Sequence, residues 1–160
     1  MSEQCRQNKL VRQLLVGEGI KMALQHPTFC FTERYSVNIA VLDRQHEALI
    51  QTVNELKDAL TCGHGAVVVD KILKELFEYA STHFATEEKL MTEHAFPGLE
   101  THRAEHQRFA QTIEKFQEDY KVGKTGVPVE IMLFMQSWLQ DHLLKTDKAY
   151  SAYLNARGVH

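Results

Sequence analysis

Proline is scarce in this chain, with three residues in 160. Runs of Val, Ile and Thr alternating with polar residues are nearly absent, which argues against a β-rich fold. No stretch of about 18 apolar residues occurs, so nothing reads as a membrane span. Charge of one sign is missing as well: the formal net charge is -3, with both signs spread along the chain. Without a basic patch, nucleic acid is not an expected partner. The N-terminal apolar stretch is short and broken by Gly17, Glu18, Gly19 and Lys21, which does not fit a secretory signal. Cys5, Cys30 and Cys62 are odd in number, widely spaced and without a CxxC pair. That pattern predicts free thiols in a reducing cytoplasm rather than a disulfide framework.

What is present is helical periodicity and histidine. Hydrophobic residues make up 44% of the chain and charged residues 24%, the balance of a soluble globular protein of one domain. Leu42, His46, Leu49, Val53, Leu56 and Leu60 recur at steps of three and four, ending at Cys62-Gly63-His64-Gly65. Ile72, Leu76, Tyr79, His83, Glu87, Leu90 and His94 form a second stripe that stops near Pro97-Gly98. Leu99, His102, His106, Phe109, Ile113, Phe116 and Tyr120 form a third, closed by Gly123 and Gly126. Pro128 opens a fourth, with Ile131, Met135, Leu139 and His142. Four amphipathic segments on short connections predict an all-α, antiparallel up-down-up-down four-helix bundle. The Gly and Pro breaks exclude one long coiled coil. Residues 1–34 are read as an N-terminal extension and lead-in, 35–155 as the bundle, and 156–160 as a tail. Within the extension, Leu10, Val11, Leu14 and Leu15 suggest a short helix, and His26-Pro27 begins an extended approach.

The chemistry lies in where the polar residues fall. His46, His83, Glu87, His102, His106 and His142 occupy phases that apolar residues take on either side. A buried imidazole or carboxylate costs a few kcal/mol unless something pairs with it. Six such intrusions, drawn from all four helices, call for a shared partner, and a metal cluster in the core supplies one. His102 and His106 are spaced i, i+4 and so project toward one ion; His83 and Glu87 pair an imidazole with a carboxylate in the same way. Imidazole with carboxylate suits iron and similar first-row metals. The donors are too many for one tetrahedral zinc, no HExxH motif is present, and the ExxH pairs of ferritin-like di-iron proteins are missing. His26, His64, His94 and His160 lie in loops, boundaries or a terminus and are left as ordinary histidines. Glu88, next to Glu87, points about 100° away around the helix and is expected in solvent or just outside the site.

The segments Tyr35-Ser-Val-Asn-Ile-Ala-Val-Leu-Asp-Arg-Gln-His46, His83-Phe-Ala-Thr-Glu87-Glu88-Lys-Leu-Met91, Phe96-Pro97 leading to His102-Arg-Ala-Glu-His106, and Trp138-Leu-Gln-Asp-His142-Leu-Leu-Lys-Thr-Asp147 together resemble the hemerythrins, the bacterial forms above all. The resemblance covers about residues 31–155. It implies two non-haem iron ions bridged by Glu87, Asp147 and an oxo or hydroxo group, with dioxygen as partner. Asp147 enters only through it, because a residue five beyond His142 sits about 140° around an unbroken α-helix. The family pattern also places His142 with His102 and His106. Counting donors then leaves the ion on His46 and His83 with one open position. Two departures stand out: Phe29 or Phe31 takes the place of a Trp in the lead-in, and Asn38 stands where a Gly is frequent. The segment before Met22 has no counterpart and is expected to be dispensable for the site. The implied function is reversible dioxygen binding without catalysis, for carriage, storage or delivery. The rivals are an oxygen or redox sensor that signals to a protein partner, and a di-iron enzyme handling peroxide or nitric oxide.

Overall fold

The computed structural model describes residues 28–160. Its helices are α1 (Ala40–Cys62), α2 (Gly65–Glu93), α3 (Leu99–Lys121), α4 (Val127–Trp138) and α5 (Asp147–Asn155), with a π-helical stretch over Leu139–Thr146 joining the last two. No strand occurs among the described residues. The fourth bundle position is therefore one rod made of α4, the π stretch and α5. Helix α1 packs on α2 and α4, and α3 packs on α2 and α4, which closes a ring of four antiparallel neighbours. The expected short helix near Leu10 and the start of the lead-in at His26-Pro27 lie outside the described residues.

The connections follow from local chemistry. At the end of α1, Gly63 adopts φ 75 and its N–H closes on the Leu60 carbonyl, while that of His64 closes on Ala59. Only glycine takes this left-handed turn without cost. Gly65 then starts α2 so close to the neighbouring rod that a Cβ there would lie 2.8 Å from Leu60 Cδ2 and 3.2 Å from Pro128 Cβ. Pro128 falls in the first turn of α4, as its missing N–H allows.

The lead-in is fastened rather than loose. Asn54 donates to the Phe29 carbonyl at 2.7 Å and accepts from its N–H at 2.9 Å, and both Phe29 and Phe31 pack on the main core. Asp43 accepts from Ser36 Oγ at 2.6 Å and from the Val37 N–H at 2.7 Å. Asn38 between them has φ 54, a left-handed conformation in which Asn is the usual substitute for Gly. That departure from the family pattern therefore leaves the turn intact.

The cysteines correct the sequence reading. Cys62 is disulfide-bonded, and Cys30 is an exposed free thiol. The expectation of three free thiols fails at Cys62 because sequence spacing does not say which cysteines come within bonding distance. A disulfide is uncommon in a reducing cytoplasm, so the cysteines no longer support that compartment. No helix among the described residues is long and apolar enough to cross a membrane.

Candidate metal centre

The six in-phase residues meet in one layer across the bundle, and Asp147 joins them. His46, His83, Glu87 and Asp147 have no exposed surface, and His102, His106 and His142 have at most 3%. Helix α1 brings His46, α2 brings His83 and Glu87, α3 brings His102 and His106, the π stretch brings His142, and α5 begins with Asp147.

Both carboxylates straddle the layer. Glu87 Oε1 lies 3.0 Å from His83 Nε2 and 3.9 Å from that of His46, while Oε2 lies 3.1 and 3.0 Å from those of His102 and His106. Asp147 Oδ2 faces His46 Nε2 at 3.4 Å, and Oδ1 faces those of His142 and His102 at 3.1 and 3.7 Å. The donor atoms accordingly fall into two groups that share Glu87: His46 with His83, and His102 with His106 and His142.

The electrostatics show a site short of positive charge. Burial holds His83 down to about 4 and His142 to about 2, against an ordinary 6.5. His46 is lowered for the same reason. These imidazoles are neutral at neutral pH, the form that ligates metal. Burial pushes Glu87 upward, but the imidazoles of His83, His102 and His106 that face its two oxygens outweigh it and leave it well below the carboxylate range. Asp147 goes the other way, raised by burial and then by repulsion from Glu87. Both Asp147 oxygens, with His106 Nε2 and His142 Nε2, lie buried without hydrogen-bond geometry to any described group. A second buried carboxylate beside orphaned nitrogen lone pairs is what a bound cation would satisfy, so the donor set fits a metal cluster.

The outward nitrogens show how the rings are aimed. His83 Nδ1 donates to Gln45 Oε1 at 2.9 Å, His106 Nδ1 to Glu88 Oε1 at 2.9 Å, and His142 Nδ1 to Glu105 Oε2 at 2.8 Å. Each acceptor is the chain neighbour of a site residue on the preceding helix: Gln45 beside His46, Glu88 beside Glu87, Glu105 beside His106. These bonds fix the tautomer and turn Nε2 inward. The outward Nδ1 of His46 has no hydrogen-bond partner among the described residues.

Residues 37–154 match the family described as Hemerythrin HHE cation binding domain. The chain belongs to the hemerythrin family. It is 29% identical over 122 residues to the bacteriohemerythrin of Methylococcus capsulatus, covering 76% of this chain and 92% of that one. It is also 29% identical to the bacteriohemerythrin of Clostridium acetobutylicum, over 76% and 98% of the two chains. With the myohemerythrin of Theromyzon tessulatum it shares 26% identity over 76% of this chain and 90% of the other. A hemerythrin domain binds a di-iron centre, and the buried cluster described above is able to hold one.

The π stretch explains how Asp147 reaches a hemerythrin site from five residues beyond His142. The Asp147 N–H donates to the His142 carbonyl, an i to i+5 bond. The wider turn cancels much of the offset that an α-helix would impose, so both side chains face inward. The spacing argument from an unbroken helix assumed the wrong helix.

Sequence reasoning also passed over the groups that brace the rings. Trp138 stacks on His142 at 3.8 Å, Phe84 on His106 at 3.7 Å and Tyr79 on His83 at 4.5 Å. Tyr79 and Trp138 each precede the histidine they cover by four residues, a legible signal once the histidines are known. Tyr150 donates to Glu87 Oε1 from α5. Glu88 turns out to be a partner of both His106 and Arg103. His64 precedes the first residue of α2 and His94 caps its end, outside the layer, as read.

Proposed function

We propose that this chain binds dioxygen reversibly at a di-iron centre held by His46, His83, Glu87, His102, His106, His142 and Asp147, as a carrier, store or donor of oxygen rather than an enzyme. The observation that carries this reading is the straddling of Glu87 and Asp147, each of which turns one oxygen to the two-histidine group and the other to the three-histidine group. When bound, the iron pair supplies the electrons and the open coordination position that reversible oxygen binding needs. The chain supplies the rest. Gln45, Glu88 and Glu105 hold three rings in position, and the stacked faces of Tyr79, Phe84 and Trp138 keep those rings from rotating. Leu49, Ile50, Leu76, Phe109 and Leu139, all buried one turn or two from the layer, exclude water from it.

If Glu87 and Asp147 were shared by both ions, the ion held by His46 and His83 would have one protein ligand fewer than the ion held by His102, His106 and His142. Azide should therefore bind that ion, and a crystal structure of the azide adduct with azide on the three-histidine ion would refute the assignment. Anaerobic reduction followed by oxygen titration tests the function itself. A long-lived, reversible adduct is expected; prompt irreversible oxidation would favour a sensor or reductive chemistry. We also take residues 35–155 as the metal-binding unit, so a chain starting at Met22 should keep both irons by metal analysis.

A further inference from the structure

The outward hydrogen bonds are not equivalent across the site. In the three-histidine group, His106 and His142 each donate to a carboxylate, Glu88 and Glu105. In the two-histidine group, His83 donates to the neutral amide of Gln45, and His46 has no side-chain acceptor among the described residues. A carboxylate acceptor raises the basicity of the imidazole and strengthens it as a donor. It also adds negative charge close to one ion only, and higher positive charge on that ion is favoured in proportion.

We infer that Glu88 and Glu105 make the two iron positions electronically unequal, so that the ion on His102, His106 and His142 is the more readily oxidised. This rests on the ligand set proposed above. The two carboxylates should not contribute equally. Glu88 shares its charge with Arg103, whose Nε lies 2.9 Å away, whereas Glu105 pairs with no lysine or arginine among the described residues. Their side chains are similarly exposed, 24% and 27%, so solvent screening does not reverse the order. Glu105 is the stronger of these positioning residues.

The experiment is a spectroelectrochemical titration of the iron-loaded full chain and of three variants, with iron content measured on each. Two one-electron couples are expected. Glu105→Gln should raise the lower couple by about tenfold in the ferric to ferrous ratio, the scale of such partners at metal sites, or about 59 mV. Glu88→Gln should raise it by less. Gln45→Glu, which adds a carboxylate to His83, should lower the upper couple and narrow the gap. Glu105→Gln with two irons and an unmoved lower couple overturns the inference. Should Glu105→Gln lose iron, an unmoved upper couple in Gln45→Glu overturns it instead. A wild-type chain that does not hold two irons would overturn the ligand set, a separate failure.

Discussion

The core is built differently on the two sides of the histidine layer. Residues after His46 and His106 and before His83 and His142 all lie on one side, because the helices alternate in direction. That side is the larger cluster, with Leu49, Val53, Leu76, Phe109, Ile113 and Met135 packed around the stacked aromatic rings. The other side is a small cluster of Val37, Ile39, Leu42, Met91, Tyr150 and Leu154. It is laced with polar ties: Tyr150 to Glu87, Asn155 to the Val37 carbonyl, Lys148 to the Ser36 carbonyl, and Tyr153 to His94. One side keeps the site dry. The other latches Ser36, Val37 and α5 to it. A hydrogen-bonded side can hold a ligand in place, whereas an apolar side can admit a small apolar molecule without offering it a proton.

The largest expected effect comes from removing the layer between the two regions. His102→Ala and His106→Ala should each lose tightly bound iron, because their i, i+4 spacing makes them joint donors to one ion. Metal analysis decides, and two retained irons in both variants would break the assignment.

Acid should act next, through the same layer. In the iron-free chain His83 is held at about 4 and His142 at about 2, below the ordinary 6.5. The unfolded chain therefore takes up protons first as pH falls. Stability from these histidines is complete above about pH 6.5 and is lost on the way down, His83 alone contributing roughly 3 kcal/mol by pH 4. Asp147, raised by burial and by Glu87, works in the opposite sense and lowers stability as pH rises. Urea unfolding of iron-free protein at several pH values between 4 and 7 should show the histidine loss; a flat profile would contradict it.

The smallest effects separate the two sides directly. Tyr150→Phe removes a hydrogen bond to a buried carboxylate and should cost about 2 kcal/mol in thermal or denaturant unfolding. Tyr79→Phe, on the dry side, should change stability by less than about 0.5 kcal/mol, since its hydroxyl faces Trp138 without good hydrogen-bond geometry. Equal losses would mean the two sides are not as different as their contacts suggest.

Most of the bundle was legible because its helices obey one period. The stripes through Leu42, Ile72, Phe109 and Ile131 lie in helices, and the glycines and prolines close to their ends mark the connections. Six site residues were legible because each breaks an apolar phase. Asp147 was not, since its reading depended on a helix type that leaves no mark in the residue pattern. Gln45 and Glu105 escaped for a different reason: each acts on the neighbouring helix, and the sequence of one helix does not say which residue of the next it meets.

The π stretch has one further consequence, which is arithmetic. Along the fourth rod, buried positions run 127, 131, 132, 135, 136, 138, 139, 142 and 143, then 147, 150, 151 and 154. The jump from 143 to 147 keeps a step of four, but the step from donor to donor is five, where α2 and α3 use four. Relative to its neighbours, the fourth rod thus carries one extra residue, stored as a bulge. Everything after it is rotated as a block, so that Tyr150 arrives over Glu87 and Leu154 in the small cluster. Deleting one residue between 143 and 146 would let the rod become an ordinary α-helix with its carboxylate four residues from the histidine, as in His83 and Glu87. The bulge is thus a unit of length as much as of shape.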